Sequence, residues 1–90
     1  MEEAEEYFIV YRYRYCDKSG VAFIKKYRYE HRYENSWHYH YTVCMFIPAN
    51  DSCNTLARLT GEFLSNHKGK PITFMLAKEF KEMKDRLNNS

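Results

Sequence analysis

The chain has 90 residues, which is enough for one domain with one hydrophobic core and too few for a second. Its formal net charge of +2 is too small to predict nucleic-acid binding by itself, and no apolar run is long enough to predict a transmembrane helix. The aromatic content is unusual, because nine Tyr, six Phe and one Trp make up 18% of the sequence.

The cysteines and the first residues favour a cytoplasmic protein. Cys16, Cys44 and Cys53 are odd in number and show no CxxC spacing, whereas a small secreted domain tends to carry an even set. Residues 1–6 are acidic, the opposite of the basic region that opens a signal peptide. We therefore expect reduced thiols, a cytoplasmic location (the host cytoplasm for a phage protein) and no membrane association.

From Tyr7 to Ile47 the sequence alternates with a period of two, which predicts β-strands. We expect three strands at about residues 7–16, 21–33 and 37–47, joined as an antiparallel meander. All nine tyrosines occupy odd positions, whereas the strand arginines and most strand histidines occupy even positions. Since neighbouring residues of a strand point to opposite faces, the tyrosines and the arginines are predicted to lie on opposite sides of the sheet.

This parity survives the two turns only if each loop has an odd number of residues. A three-residue first loop would place Gly20 in the left-handed conformation that such loops need. A second loop at residues 34–36 would set Tyr33 opposite Trp37.

The register of the first two strands is predicted from their charges. Pairing Arg12 with Ile24 avoids the like-charge contact that Arg12 would make with Lys26. In this register residues 30–40 have no third strand beside them, so the hairpin of strands two and three should project.

The pattern after Pro48 becomes helical, with a helix predicted at about residues 53–67 and another at about 76–88. Residues 71–75 either form a short fourth strand at the sheet edge or begin the last helix, and we favour the strand. The fold class is therefore α+β: one domain, residues 1–90, with a three-stranded antiparallel meander, a short fourth strand and two helices packed on one face, the tyrosine face.

The opposite, even-numbered face also carries an apolar patch. Its members are Phe8, Val10, Ala22, Ile24, Cys44 and Phe46. Either the C-terminal part of the chain covers this patch or a partner does. A homodimer could form through the patch or through an uncovered sheet edge.

The projecting hairpin is the predicted partner-binding site. Its candidate residues are Arg32, Tyr33, Trp37, His38, Tyr39 and His40. Trp, Tyr and Arg are the residues that dominate binding energy at protein interfaces. The alternative is that these rings fold onto the ends of the helices as part of the core.

The even face also supplies four predicted basic residues: Arg12, Arg14, Lys26 and Arg28. Such a face could bind nucleic acid, bind an acidic protein, or remain solvated and discourage aggregation. Stacking combined with charge, as in single-strand binding, is disfavoured if the tyrosines point away from the arginines.

Metal binding and catalysis have little support. His38 and His40 with Glu30 could approach a zinc ion, but neighbouring arginines would oppose it and no fourth ligand is evident. Cys53 near a helix N-terminus, with His67 as a base, is the best candidate nucleophile, and a structural thiol is the simpler interpretation. We therefore predict no metal, no cofactor and no enzymatic activity.

In organisation the chain resembles small phage- or prophage-encoded accessory proteins. The likeness rests on its brevity, the opening strand from Tyr7 to Tyr11, the hairpin from Asp17 to Gly20 and the terminal helices. It is architectural, so it assigns no functional residue. The resemblance implies a non-enzymatic inhibitor that binds a host protein or ribonucleoprotein complex, such as a CRISPR or other defence component. Unlike a DNA mimic, this chain is not strongly acidic.

Overall fold

The computed structural model describes residue 4, residues 6–31 and residues 36–88, and the structural statements below concern these residues. The elements in chain order are β1 Glu6–Tyr15, β2 Lys18–His31, β3 Ser36–Pro48, α1 Cys53–Asn66, β4 Ile72–Leu76 and α2 Ala77–Asn88. The α+β class and the three antiparallel strands are confirmed. The segment favoured as a fourth strand does form one.

The four strands form one mixed sheet in the order β3-β2-β1-β4. β1 pairs with β2 in the antiparallel sense and with β4 in the parallel sense, so it lies inside the sheet. Its residues Phe8, Ile9 and Val10 are almost completely buried. A strand that is buried on both faces needs a continuous apolar run rather than a strict alternation, and β1 has one.

The two helices cover opposite faces of the sheet. Phe63 of α1 packs against Phe23, with ring centroids 4.9 Å apart, on what we call the helix-1 face. Phe80 of α2 packs against Phe8, with centroids 5.4 Å apart, on the helix-2 face. The prediction that both helices pack on one face is therefore wrong. The physical reason is that the even-numbered side of β1 is apolar as well and requires its own cover.

Helix α2 covers the apolar patch on the even-numbered face, for which the sequence left two possible covers, the C-terminal part of the chain or a partner. Phe80 is 1% exposed and lies in one cluster with Phe8, Val10 and Ile24. Met83, one turn further along α2, packs against the same cluster. The C-terminal helix, and not a partner, buries the centre of this patch.

The first turn is shorter than predicted. Tyr15 pairs with Lys18, which leaves only Cys16 and Asp17 in the turn. Both have positive φ values, 50° and 65°, as the central residues of a type I′ turn do. Gly20 is not in the turn; it lies within β2, where an added Cβ would collide with the carbonyl oxygen of Ile47. The three-residue loop was a wrong prediction, because Gly20 serves close strand packing instead.

The shorter turn changes the register of the hairpin. Ile24 pairs with Phe8 and not with Arg12, so the predicted register is wrong. The register observed places an apolar residue opposite Ile24, and both are buried. Burial of this pair therefore outweighs the charge argument that favoured the other register.

Each hairpin contains a β-bulge. In β1, Val10 pairs with Ala22 and Tyr13 with Gly20, and the irregularity includes Arg12, whose φ is 57°. In β3 the register shifts at Cys44, since Met45 pairs with Phe23 and Val43 with Ile24. A bulge reverses the side of every later residue in its strand, so the parity of the tyrosines is not maintained.

The second connection also differs from the predicted loop. Trp37 pairs with Glu30 and Ser36 pairs with His31, so Trp37 does not lie opposite Tyr33. The connecting residues 32–35, with two members of the predicted loop, lie outside the described residues.

Helix α1 begins and ends with side-chain and backbone caps. The Ser52 hydroxyl accepts a hydrogen bond from the Thr55 N–H at 3.0 Å, which satisfies one of the free donors of the first turn. At the other end the His67 N–H donates to the carbonyl oxygen of Phe63. Gly69 follows with a φ of 88°, which allows the chain to turn towards β4.

Candidate partner-binding hairpin

Strands β2 and β3 extend beyond the rest of the sheet as a two-stranded ribbon. β1 begins at Glu6, opposite Lys26, so the pairs that follow have no third strand among the described residues. These pairs are Tyr27 with His40, Arg28 with Tyr39, Tyr29 with His38, Glu30 with Trp37 and His31 with Ser36. The ribbon is longer than expected, because the first turn moves β1 away from it.

The base of the ribbon is held on the helix-2 face by Lys26. Its Nζ atom lies 2.8 Å from Oε1 of Glu6, the residue directly across from it in β1. The same ammonium lies 3.9 Å from the centre of the Tyr39 ring in β3. Lys26 therefore connects three strands through one charged group.

The burial of Lys26 makes these two contacts necessary. The residue is only 6% exposed, and an ammonium removed from water is costly unless a carboxylate or an aromatic face compensates it. Glu6 is more accessible, with 26% of its side chain exposed, so the pair is only partly shielded from solvent. The arrangement positions the Tyr39 ring at the point where the ribbon leaves the sheet.

The helix-1 face of the ribbon carries a second group of aromatic and basic side chains. Tyr27 and His40 are paired across the strands, with ring centroids 6.4 Å apart. The ammonium of Lys25 lies 5.9 Å from the centre of the Tyr27 ring. Interaction with the Tyr27 side chain, through hydrogen bonding and charge, raises the pKa of Lys25. His40 is exposed, and Tyr27 is half-buried.

The structure describes the predicted partner-binding residues to different extents. Tyr39 is half-buried beside Lys26, and His40 is exposed on the other face. Of Trp37 and His38 it describes the backbone, which lies in β3 within the ribbon. Two further predicted members, Arg32 and Tyr33, lie outside the described residues.

The four predicted basic residues do not form one continuous face. Lys26 is buried in its ion pair, and Arg28 is exposed beside Tyr39 in the ribbon. Arg12 is exposed at the β1 bulge. Arg14, beyond that bulge, pairs with Ser19 and so points to the helix-1 face. The bulge and the buried ion pair therefore divide the predicted face into separate charges.

The bulge at Cys44 produces a combination that sequence parity excluded. From Val43 back towards the ribbon, the odd-numbered residues of β3 lie opposite even-numbered residues of β2. Tyr41 and Tyr39 consequently share the helix-2 face with Lys26 and Arg28. Aromatic rings and cations are therefore side by side at the base of the ribbon. The sequence carries no local signal for a bulge at a cysteine, so parity alone could not predict this.

Of the residues considered for metal binding or catalysis, those whose side chains the structure describes are not brought together. His40 pairs with Tyr27 rather than with Glu30, and the described residues contain no group of three potential metal ligands. Cys53 is exposed at the first residue of α1, and His67 follows the last. A 14-residue helix is about 21 Å long, so the two are at opposite ends of it. His67 instead packs between the rings of Tyr7 and Phe63.

Comparison of the chain with protein-family models, with curated proteins and with solved structures finds no match. Neither of the described helices has the length and apolar content needed to cross a bilayer.

Proposed function

We propose that this protein is a non-enzymatic binding protein that uses the β2–β3 ribbon to bind and block a macromolecular partner. The observation that carries the proposal is the ribbon itself: five backbone pairs, from Tyr27–His40 to His31–Ser36, continue past the end of β1. A ribbon of this kind can insert into a groove or lie along a partner's surface, and Arg28 and His40 within it are exposed.

The fixed base of the ribbon supports the same proposal. The contacts of Lys26 with Glu6 and Tyr39 hold the ribbon where it leaves the sheet, so its direction is set before the partner arrives. A preorganised binding element loses less conformational entropy on association than a flexible loop does. Tyr39 and His40 place an aromatic and an imidazole side chain on the two faces of the ribbon.

The resemblance to phage accessory proteins suggests the class of partner. On that analogy the partner is a host protein or ribonucleoprotein complex, such as a CRISPR or other defence component, bound in the host cytoplasm. The proposed role of the ribbon does not depend on which partner it binds, because the extension of β2 and β3 past β1 supports only the recognition of some macromolecule.

The first experiment is an affinity capture from bacterial lysate with the wild-type chain, with and without nuclease. Trp37→Ala and Tyr39→Ala should each reduce recovery of the captured partner at least tenfold, because interface aromatics dominate binding energy. Tyr15→Ala is the matched control, since Tyr15 is a 41% exposed tyrosine of β1 outside the ribbon. Circular dichroism checks that each variant folds. Equal recovery with all three variants would rule out the ribbon as the binding element.

Nucleic-acid binding is the second candidate, and the bulge at Cys44 is the observation that favours it. This bulge places Tyr39 beside Arg28, so stacking and phosphate contact can occur on one face of the ribbon. Two other predicted basic residues do not extend that face, because Arg12 lies in the β1 bulge and Arg14 points to the helix-1 face.

The test of this second candidate is the salt dependence of binding to a labelled single-stranded oligonucleotide. Binding through phosphates weakens linearly in log salt, by roughly 0.7 units of slope per phosphate contacted on a single strand. Arg28→Glu should weaken it, and Arg58→Glu should not, because Arg58 is an exposed residue of α1 paired with Glu62. Equal affinities for the two variants would exclude the ribbon as a nucleic-acid site, and nuclease-resistant capture of a protein would favour the first candidate.

A further inference from the structure

Strand β4 forms an edge of the sheet, and its outer backbone is available for pairing. Its neighbour in the sheet is β1, and no other described strand pairs with it. The Tyr7 N–H donates to the Pro71 carbonyl at 2.9 Å, which fixes the alternation of the ladder. Thr73 and Met75 therefore direct their backbone groups to β1. The N–H and C=O groups of Ile72 and Phe74 and the N–H group of Leu76 point outward, whereas the Leu76 carbonyl precedes α2 and belongs to the first turn of that helix.

This edge lacks the features that usually prevent strand pairing. Residues 72–76 contain no charge, no proline and no described bulge. Phe74 is 48% exposed and Leu76 is 42% exposed, on the side of the strand where Phe74 stacks on Tyr11 with centroids 6.3 Å apart. The opposite edge, β3, is interrupted at Cys44 and ends at Pro48. An uncharged, regular and apolar edge strand is a template for another strand.

We propose that β4 pairs with β4 of a second copy of this chain, in the antiparallel sense and about a two-fold axis at Phe74. In this register Phe74 faces its own copy, and Ile72 faces Leu76 on both sides of the axis. All three positions have outward-pointing N–H groups, so the Phe74 pair exchanges two backbone hydrogen bonds and the Leu76 N–H of each copy donates to the Ile72 carbonyl of the other. The apolar side chains of the two copies meet on one face, as an isologous interface requires.

The lack of charge in β4 also favours pairing with a second copy, because two identical uncharged strands do not repel each other. No like charges face each other within the paired residues. Pairing of two five-residue strands buries on the order of a few hundred Å² per copy, at the low end of specific interfaces. We therefore expect a reversible dimer with a dissociation constant in roughly the micromolar range.

The dimer would contain a continuous eight-stranded sheet, four strands from each copy. Because β4 and its copy run in opposite directions, the two β2–β3 ribbons would emerge at opposite ends of that sheet. This dimer does not depend on the proposed function of the ribbon.

The first measurement is sedimentation velocity of the wild-type chain from about 1 μM to 1 mM, with hydrogen exchange at the two extremes. We expect a shift from monomer to dimer, and slower exchange at high concentration for the amides of Phe74 and Leu76. The amides of Thr73 and Met75, which bond to β1, should be protected at both concentrations. A monomer throughout, or a dimer without the change at Phe74, would overturn the proposal.

The second measurement uses charge at the two-fold axis. Phe74→Lys and Phe74→Glu should each raise the dissociation constant at least tenfold, since like charges would face each other. Mixing the two variants should restore a dimer, because residue 74 faces itself only in the proposed register. Leu64→Lys is the matched control: Leu64 is a 37% exposed leucine of α1, and this variant should dimerise as the wild type does. No heterodimer in the mixture, or loss of the dimer in the control, would overturn the register.

Discussion

The ammonium of Lys26 in β2 lies 3.9 Å from the centre of the Tyr39 ring in β3. Sequence parity predicts these two side chains on opposite faces of the sheet, whereas the observed register places them on the same face. Glu6 completes the arrangement at 2.8 Å. The contact joins the buried body of the sheet to the ribbon that extends from it, so the stability of the fold and the position of Tyr39 depend on the same side chain.

Replacement of Lys26 by alanine should lower the free energy of unfolding by about 2–3 kcal/mol, because Glu6 would remain without its cation and the Tyr39 ring without its neighbour. Urea denaturation followed by circular dichroism measures this. Lys18→Ala is the control, since Lys18 is exposed in the same strand and should change stability by less than about 0.5 kcal/mol. Equal effects of the two substitutions would contradict the role assigned to Lys26.

Replacement of Asp17 by glycine should stabilise the fold by about 0.5–1 kcal/mol, because Asp17 has a φ of 65° in the first turn and glycine adopts that conformation without strain. The midpoint of thermal unfolding is a suitable measurement. Ser19→Gly tests the same substitution within β2, where it should destabilise by a similar amount. A destabilised Asp17→Gly protein would argue against the two-residue turn.

Replacement of Phe80 by alanine should lower the free energy of unfolding by about 3–5 kcal/mol, because this 1% exposed ring fills the space between α2 and β1. If that variant does not fold, Phe80→Leu should show a smaller loss of about 1 kcal/mol. Leu64→Ala should cost less than about 1 kcal/mol, since Leu64 lies on the exposed side of α1. A small effect at Phe80 would mean that α2 does not close the helix-2 face.

The thiol of Cys44 should react with iodoacetamide at a higher pH than an ordinary cysteine does. Partial burial of its sulfur raises its pKa, although the residue as a whole is exposed, and the nearby positive charge of Lys25 partly offsets this. Lys25→Met should therefore raise the pKa further, and Lys25→Arg should leave it nearly unchanged. The pH dependence of alkylation in a Cys16→Ser, Cys53→Ser background measures both. A lower pH midpoint of alkylation in Lys25→Met would contradict the effect assigned to the Lys25 charge.

The elements of this fold could be predicted from the sequence because each has a local cause. The alternation around Tyr11, the cap at Ser52 and the apolar spacing of Phe80 and Met83 act over a few residues, and the corresponding strand and helices are present. The registers could not be predicted in the same way. They depend on a two-residue turn that has Cys16 at its first position and no glycine at its second, where type I′ turns favour glycine most.

The projecting hairpin could be predicted from the sequence, and the contacts within it could not. A projecting hairpin followed from the unequal lengths of the strands. The contact between Lys26 and Tyr39 followed from a bulge at Cys44, where one unpaired residue changes the side of all that precede it in β3. A bulge is a feature of how two strands pair, so it belongs to the assembled sheet and not to a short stretch of sequence.

The position of β4 beside β1 has a consequence for how the chain is made. Tyr7 of β1 pairs with Ile72 of β4, so 65 further residues must be synthesised before β1 has its second neighbouring strand. Until α2 follows, Phe8 and Val10 lack the ring that buries them. During translation the growing chain must therefore carry an apolar strand with one side open until the residues of α2 have been made. A chain truncated after residue 70 should bind chaperones, and the 90-residue chain should not.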